Sequence, residues 1–573
     1  MNRRSFIEQV SVGSGVALAA SLPAFSAAAY DSTGQPFLRA GQAEYKADLV
    51  IAGGGLGGCA AALAALRNHL MVVLTEETDW IGGQLTQQGV PPDEHPWIET
   101  HGATKLYRDF RNAIRNYYIQ HYPLTDAARN RPNLNPGDGV VSKLCHEPRV
   151  ALAVLQQMMA PYLSSGQLTL LTEHKITAAD VSGDRVQALK AISQRSGREV
   201  ILSAPYFVDA TELGDLLPLT KTEFVTGAES RRDTHELHAP EKADPNSCQA
   251  FTMCFAMDYV AGVNHVIDKP KEYHFWRNYT PKLTPAWSGK LLDLAYSNPK
   301  TLEPKKLGFH PEGISTGDNL NLWNYRRIIS KANFKPGTYA GDITNVNWPQ
   351  NDYTLGNLIG ASESDFRKHV ERAKQLSLSL LYWLQTEAPR PDGGRGWPGL
   401  RLRGDMMGTE DGLAKYPYIR EGRRIKAVFT VLEEHVGADN RALVTGRKDN
   451  TAADFYDSVG VGYYHIDLHP STSGNNYIDF GSLPFQIPLG ALLPKRVENL
   501  LPANKNIGTT HITNGCYRLH PVEWSIGEAV GMLVAYARDK KVIPRAVREQ
   551  KPLLDGFQTM VRSQGIETHW PKP

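Results

Sequence analysis

The sequence predicts an α/β protein organised around a parallel sheet with helices on its faces. Two observations carry that expectation. Asp48-Leu-Val-Ile-Ala-Gly-Gly-Gly-Leu-Gly-Gly58 runs into an Ala- and Leu-rich stretch through Leu66 and is answered by Val72-Val-Leu-Thr-Glu76. In order these read as a buried strand, a glycine turn, a small-residue helix and a second strand ending in an acid. Short strand-like runs then alternate with turns from Leu168 to Val208, with Asp184 and Gly197 where hairpins would turn. The last run, Tyr206-Phe-Val-Asp-Ala-Thr-Glu-Leu-Gly-Asp215, again brings small residues and an acid to a strand end.

The first of these stretches is the opening of a dinucleotide-binding βαβ unit. Gly53 makes the tight turn, Gly55 lets the backbone approach a pyrophosphate, and Gly58 lets the helix pack closely on the sheet. The helix that begins at Leu56 and Gly57 aims unpaired N–H groups at phosphate. Glu76 stands where a carboxylate binds ribose hydroxyls, which favours FAD or NAD over NADP, whose extra phosphate an acid repels. A second glycine pair, in Thr78-Asp-Trp-Ile-Gly-Gly-Gln-Leu-Thr86, allows backbone contact with the same ligand or forms a plain turn.

Ahead of this unit, Asn2-Arg-Arg-Ser-Phe-Ile7 precedes an apolar run from Val10 to Phe25 and small residues from Ala24 to Ala29. Residues 1–29 are expected to be a twin-arginine-type signal peptide, with an uncleaved amphipathic leader as the alternative. No later segment is apolar for the ~18 residues of a membrane span, so the mature protein is expected to be periplasmic or secreted. The chain has 573 residues, 41% hydrophobic and 21% charged, with a formal net charge of +2. That length suggests two to four domains or one with large insertions, and the balanced charge gives no reason to expect nucleic acid or an anionic membrane as partner. Cys59, Cys145, Cys248, Cys254 and Cys516 are too few for a disulfide scaffold, and spacing leaves open whether Cys248 and Cys254 pair. With no haem, iron–sulfur or paired zinc motif, redox chemistry would run on an organic cofactor.

Farther along, Tyr107 to Tyr118, Glu147 to Leu163 and Ser362 to Glu387 have helical spacing; the last carries Leu376, Leu380, Leu381 and Leu384 on one core stripe. Tyr418 to Val436 is helix-compatible and contains Arg420, Arg423 and Arg424, which either grip an anion or brace acids such as Glu421 and Asp454. On a strand, His465, Asp467 and His469 would share one face. They could bind a transition metal, line a cavity or form a polar ladder; adjacent sites ~7 Å apart disfavour the metal. Near the C-terminus a loop dense in His511, Tyr517, Arg518, His520 and Glu523 leads into a helix expected from about Val522.

Taken together, these motifs resemble the FAD-dependent oxidoreductases of glutathione-reductase-like fold, in particular the bacterial group often labelled FAD-dependent oxidoreductase or xanthan lyase. The likeness rests on the glycines at 53–58, residues 79–86, 147–150, 208–215, 225–231 and 418–425, and the segment 499–531. It implies an FAD-binding Rossmann-like domain, a parallel sheet with a β-meander, plus an inserted α+β substrate domain. The FAD-binding domain would occupy 46–225 and 491–545, the substrate or cap domain 226–490, and a tail 546–573. Gly53, Gly55, Leu56, Gly57, Gly58, Glu76, Gly82, Gly83, Gln84, Asp209, Gly527 and Glu528 would lie near FAD. Asn504 departs from relatives, which carry a small or sulfur-containing residue there.

No second glycine triplet of that quality occurs in 226–490, which argues against a nicotinamide domain. The expected function is therefore oxidation of a small organic substrate by hydride transfer to flavin, with reoxidation by oxygen or another acceptor. His520 and His511 are the candidate bases, Arg518 a candidate substrate anchor and Tyr517 a further candidate catalytic residue; no residue is assigned to a metal. The rival readings are a carbohydrate-active lyase on a Rossmann-like scaffold without redox turnover, and a flavin-binding protein without catalysis.

Overall fold

The computed structural model describes residues 43–571, apart from 316 and 447–450; the expected leader over 1–29 lies outside the described residues. Strand Leu49–Ala52 sits in the middle of a five-stranded parallel sheet. The order is Leu500–Pro502, Tyr206–Asp209, Leu49–Ala52, Val72–Thr75 and Leu168–Leu171. Leu49–Ala52 and Val72–Thr75 are buried at every residue, as unbroken apolar runs require of strands covered on both faces. Register places Ala52 beside Thr75 on one side and Asp209 on the other, so the strand ends gather around the glycine turn.

Helix Leu56–Arg67 packs against the C-terminal helix His520–Lys540, and they meet backbone to backbone. A Cβ on Gly57 would lie 1.6 Å from the Ala503 carbonyl oxygen, one on Gly527 2.0 Å from that of Gly57, and one on Gly531 2.3 Å from that of Ala61. Such proximity explains the small residues of both helices, and Leu56 to Leu66 are buried on all sides. Beside this layer, Ala43–Lys46, Glu199–Ser203, Arg185–Ser193 and His174–Ser182 form a four-stranded sheet. Its hairpins turn at Gly183–Asp184 and at Gly197, with Gly183 at φ 59° and Gly197 at φ 69°.

Residues between these parts build a second core. Helix Glu363–Thr386 is capped by Ser362, whose hydroxyl accepts from the Asp365 N–H at 3.1 Å. Leu376, Leu380, Leu381 and Leu384 are buried on it, in one cluster with Trp276, Trp323 and Trp348. An antiparallel sheet in the order Arg327–Ile329, Ile343–Val346, Phe255–Tyr259 and Leu400–Leu402 lies in the same region.

Two local expectations are corrected. Tyr418 to Val436 is not a helix: only Glu433–Val436 is helical, and Arg424–Ile425 pairs with Phe224–Val225. Long-range partners override the local pattern, since Arg420 meets Asp352, Arg423 meets Asp215, and Arg424 meets Glu229 and Glu421. Asp454 instead accepts from Gln486 Nε2 at 2.7 Å. The supposed loop after Thr509 is a helix, His511–Tyr517, because Thr510 caps it through the Thr513 N–H at 3.1 Å; the next helix starts at His520. All five cysteines are free and buried, so Cys248 and Cys254 are not bridged.

Candidate active site

The glycine turn is shaped for main-chain contact. Gly53 adopts φ +95°, and a Cβ there would lie 2.3 Å from the Ala210 carbonyl oxygen. Gly55 caps helix Leu56–Arg67 with no capping side chain and no acid in the first turn, which leaves the positive end of the helix available to an anion. Gly82 and Gly83, at φ 114° and 56°, fold against this turn, and the Gly82 N–H donates to the Gly54 carbonyl at 2.7 Å. Glu76 accepts from the N–H groups of Gly54 at 2.9 Å and Thr78 at 2.8 Å. Burial pushes its carboxyl up to about 8. A narrow cleft opens here, lined by Gly53, Gly55, Glu76, Thr211, Glu212 and Tyr416 among others.

From this cleft a buried polar run leads inward. Lys505 Nζ lies 2.5 Å from Glu212 Oε2 and 3.8 Å from Glu523. Gln84 Nε2 donates to Glu523 Oε2 at 2.5 Å and to the Arg518 carbonyl at 2.9 Å. Gln84 Oε1, Glu212 Oε1, Glu523 Oε1 and Gln88 Nε2 are buried without a hydrogen-bond partner. Unpartnered buried polar atoms are costly and call for a ligand. An uncapped helix end, a glycine wall that admits only backbone, a lysine and this run of orphaned atoms together fit a flavin dinucleotide. Asn504, the departure from relatives, is absorbed locally: its amide donates to the Ala210 carbonyl at 3.3 Å and its oxygen accepts from the Lys505 N–H at 3.0 Å.

Arg518 carries the run to a second, larger space of about 520 Å³. Its guanidinium donates to the Tyr418 hydroxyl at 2.9 Å and to Asp467 Oδ2 at 2.9 Å. On the same walls Arg326 pairs with Asp93 at 3.1 Å, and His465 Nδ1 meets Asp479 at 2.6 Å. His469 Nδ1 meets Asp352 at 2.6 Å, and its Nε2 lies 3.5 Å from Asp467. Burial pushes the Asp467 carboxyl up, but His469 and Arg518 outweigh it and hold the group well below the usual carboxylate range. For His465 burial is likewise outweighed, and Asp479 raises its imidazole. Both histidines and Asp467 thus line a cavity, each with a different partner.

The residues singled out in the sequence divide among these places. Gly53, Gly55, Leu56, Gly57, Gly58, Glu76, Gly82, Gly83 and Gln84 surround the glycine turn and the inward run. Asp209 accepts from the Thr211 N–H at 3.0 Å and the Leu216 N–H at 3.1 Å, organising the loop beyond its strand. Gly527 contacts the Gly57 backbone, and Glu528 accepts from Trp524 Nε1 at 3.1 Å, so both serve the helix layer. Of the chemically loaded C-terminal residues, only Arg518 lines the large cavity. Tyr517 donates to the Gln486 carbonyl at 2.7 Å and stacks on Phe485. His511 faces a neighbouring cavity and holds Glu421 through Nδ1 at 2.9 Å. Burial pushes Glu421 up, yet His511 and Arg424 hold its carboxyl down at about 2.

His520 Nδ1 accepts the Asp93 N–H at 3.0 Å, so the neutral ring carries its proton on Nε2, which has no partner. Burial lowers this imidazole to about 4. It is a neutral donor beside the cavity rather than a proton acceptor. Asp93, Arg326 and Asp352 escape the sequence reading, because no local motif marks them, and Tyr418 stands in the 418–425 motif without a role; His465, Asp467 and His469 line a cavity, one of the three readings their shared face allows.

Comparison with known proteins agrees with this geometry. A family profile described as "FAD dependent oxidoreductase" matches residues 48–560. No curated protein matches the chain. Among solved structures, L-proline dehydrogenase from P. horikoshii is 14% identical, aligned over 32% of this chain and 24% of that one, with a TM-score of 0.18. OxyS anhydrotetracycline hydroxylase from Streptomyces rimosus is 10% identical over 91% and 66%, with a TM-score of 0.34. Quinol fumarate reductase of E. coli is 11% identical over 91% and 74%, with a TM-score of 0.31. The chain thus spans less than two thirds of the length of the first two, and likenesses of this size say nothing about its substrate. The profile covers the glycine turn, the cavity and the C-terminal helix together, and the chain belongs to the FAD dependent oxidoreductase family, with FAD as the cofactor.

Proposed function

We propose that this enzyme oxidises a small organic molecule bound in the Arg518 cavity, taking a hydride from carbon next to oxygen or nitrogen. The observation that carries the reading is the unbroken polar run from the glycine cleft through Gln84, Glu523 and Arg518 to that cavity. FAD supplies a two-electron acceptor when bound. Gly53, Gly55, Gly82 and Gly83 would hold its phosphates and ribityl chain by backbone, and Glu76 its ribose hydroxyls. Lys505 adds a cation to the uncapped helix end. Arg518, fixed by Asp467 and Tyr418, orients substrate, while neutral His520 positions Asp93 from behind the wall by accepting its N–H. Residues 46–225 and 491–545 form the cofactor domain and 226–490 the substrate domain. The twin-arginine-type leader exports the folded protein to the periplasm or beyond, and oxygen or another acceptor reoxidises it.

The test is the visible spectrum of the purified mature protein, recorded again on the supernatant after acid precipitation and then under anaerobic substrate addition. A yellow protein that releases its colour and is bleached by an organic reductant is expected. A colourless protein that FAD does not reconstitute sinks the oxidoreductase and favours a lyase; bound flavin that no substrate reduces leaves only a binding protein.

A further inference from the structure

The walls of the large cavity have a composition that narrows its occupant. Its buried cations already have partners on the protein: Arg518 with Asp467 at 2.9 Å, Arg326 with Asp93 at 3.1 Å, and Arg420 with Asp352 at 3.0 Å. Lys300 and Lys305, which also line it, are exposed at its mouth. The interior therefore presents donors and acceptors side by side without a free charge. Tyr296, Tyr325, Trp348, Tyr418, Tyr464 and Tyr477 supply aromatic faces between them. Past the two lysines at the mouth an anion would have to displace an aspartate from its arginine, and an apolar molecule would strand the polar edges unpaired. A ring bearing many hydroxyls satisfies both demands, because each hydroxyl donates and accepts and the C–H faces lie against aromatic rings.

One histidine on this wall is arranged as a base. His469 Nδ1 lies 2.6 Å from Asp352 Oδ2. That carboxylate is itself fixed by the Thr252 hydroxyl at 2.7 Å and by Arg420. A ring nitrogen bonded to a carboxylate carries the proton, so in the neutral ring Nε2 holds the lone pair; Asp467 Oδ2, 3.5 Å from Nε2, stabilises the imidazolium formed when it takes up a proton, and that imidazolium in turn lowers Asp467. This constellation has the logic of a base oriented by a third group.

We propose that the cavity takes an uncharged, polyhydroxylated molecule of the sugar or cyclic polyol class, and that His469, steered by Asp352, accepts the proton of the hydroxyl being oxidised. The inference rests on the oxidation proposed above. In the step, the C–H and O–H bonds of one carbinol break and a C=O bond forms. FAD, when bound, would supply the two-electron acceptor for the hydride, and the carbinol proton goes to His469 Nε2.

The experiment uses the flavin-loaded enzyme under anaerobic conditions, with glucose and myo-inositol set against glucuronate, lactate and an alkylamine. Neutral polyols are expected to bind by calorimetry and to bleach the flavin band. His469→Gln is expected to stay yellow and bind the same polyol, with bleaching slowed on the order of 10²- to 10⁴-fold. Added imidazole should restore part of the rate in His469→Ala, which a merely structural role would not allow. Bleaching by the acids or the amine in preference overturns the inference and leaves the oxidoreductase standing. Polyol binding without bleaching, or a His469→Gln enzyme as fast as wild type, defeats it as well.

Discussion

The glycine cleft and the large cavity are built on opposite principles. Around the cleft the contacts are backbone on backbone, as where Gly57, Gly527 and Gly531 meet carbonyl oxygens of Ala503, Gly57 and Ala61. Around the cavity they are charged side chains drawn from distant parts of the chain: Asp93, Arg326, Asp352, Arg420, Asp467 and Arg518. The first region is intolerant of added atoms and the second of lost ones. A site for a fixed cofactor can be a rigid mould, whereas one that specifies a substrate needs directional pairs.

The mould is the easier to break. Gly57→Val places side-chain atoms where even a Cβ would be 1.6 Å from the Ala503 carbonyl oxygen, and neither the helix nor the segment after strand Leu500–Pro502 can retreat without opening the core. Overpacking commonly costs about 1–3 kcal/mol and occasionally more; here the backbone obstacle puts the loss at the upper end. The expected result is little soluble protein and no retained flavin, read by absorbance after gel filtration. Normal yield and colour would show that the helices are not locked together.

In the cavity the corresponding experiment removes a partner. Asp467→Ala leaves Arg518, a buried cation, without its carboxylate, a change worth about 3–5 kcal/mol when nothing compensates. Because water can enter a space this large, the lower end is expected, and the flavin should stay bound. Denaturant unfolding would show the loss and substrate titration a raised KM. Flavin release equal to that of the glycine variant would contradict the division of labour between the regions.

Protonation offers a gentler contrast. Burial raises Glu76 to about 8, Asp209 to about 7 and Glu528 to about 7. Each therefore holds a proton in the folded state at a pH where the unfolded chain has released it, and that stabilisation is lost as pH rises through the folded value. At the cavity Asp352 and Asp467 are shifted down, burial being outweighed by Arg420 and His469 in one case and by His469 and Arg518 in the other. Their contribution is present above the unfolded value and disappears only in acid. Raising pH from about 6.5 to about 8.5 should thus loosen the cofactor-free cleft at its buried carboxyls, and the cavity only where His465, raised by Asp479, gives up its proton; below the ordinary histidine value the lowered His520 adds an opposing effect. Hydrogen exchange corrected for intrinsic rates measures it, and equal loss of protection at the cavity would refute the assignment.

What the sequence discloses follows the same line. Strand, turn, helix and acid from Asp48 to Glu76 are contiguous, so local pattern suffices for them. The capping of helix Glu363–Thr386 and its leucine stripe are local too. Arg420, by contrast, stands in a helix-compatible run, yet its side chain is claimed by Asp352, and the backbone around it is irregular, with a bend at Arg420 itself. His520 and His469 show the limit most clearly. Both are histidines in polar surroundings, but the Asp93 N–H makes one a donor while Asp352 leaves the other an acceptor. Neither partner is near in sequence, so the two roles can be told apart only once the chain has folded.

The smallest effect tests whether the two regions are energetically separate. Ser362 accepts the Asp365 N–H at 3.1 Å and donates to its carboxylate at 2.8 Å, with Glu363 and Asp365 in the first turn to complement the helix dipole. Ser362→Ala removes the cap and should cost about 1 kcal/mol. Since the helix buries its leucines in the core of the substrate region and meets the glycine cleft through Phe366, over which Lys175 Nζ lies at 5.9 Å, flavin retention should be nearly unchanged while the unfolding midpoint falls slightly. If the flavin is released in step with that fall, the two regions unfold as one cooperative unit, and the mould and the cavity cannot be tuned independently.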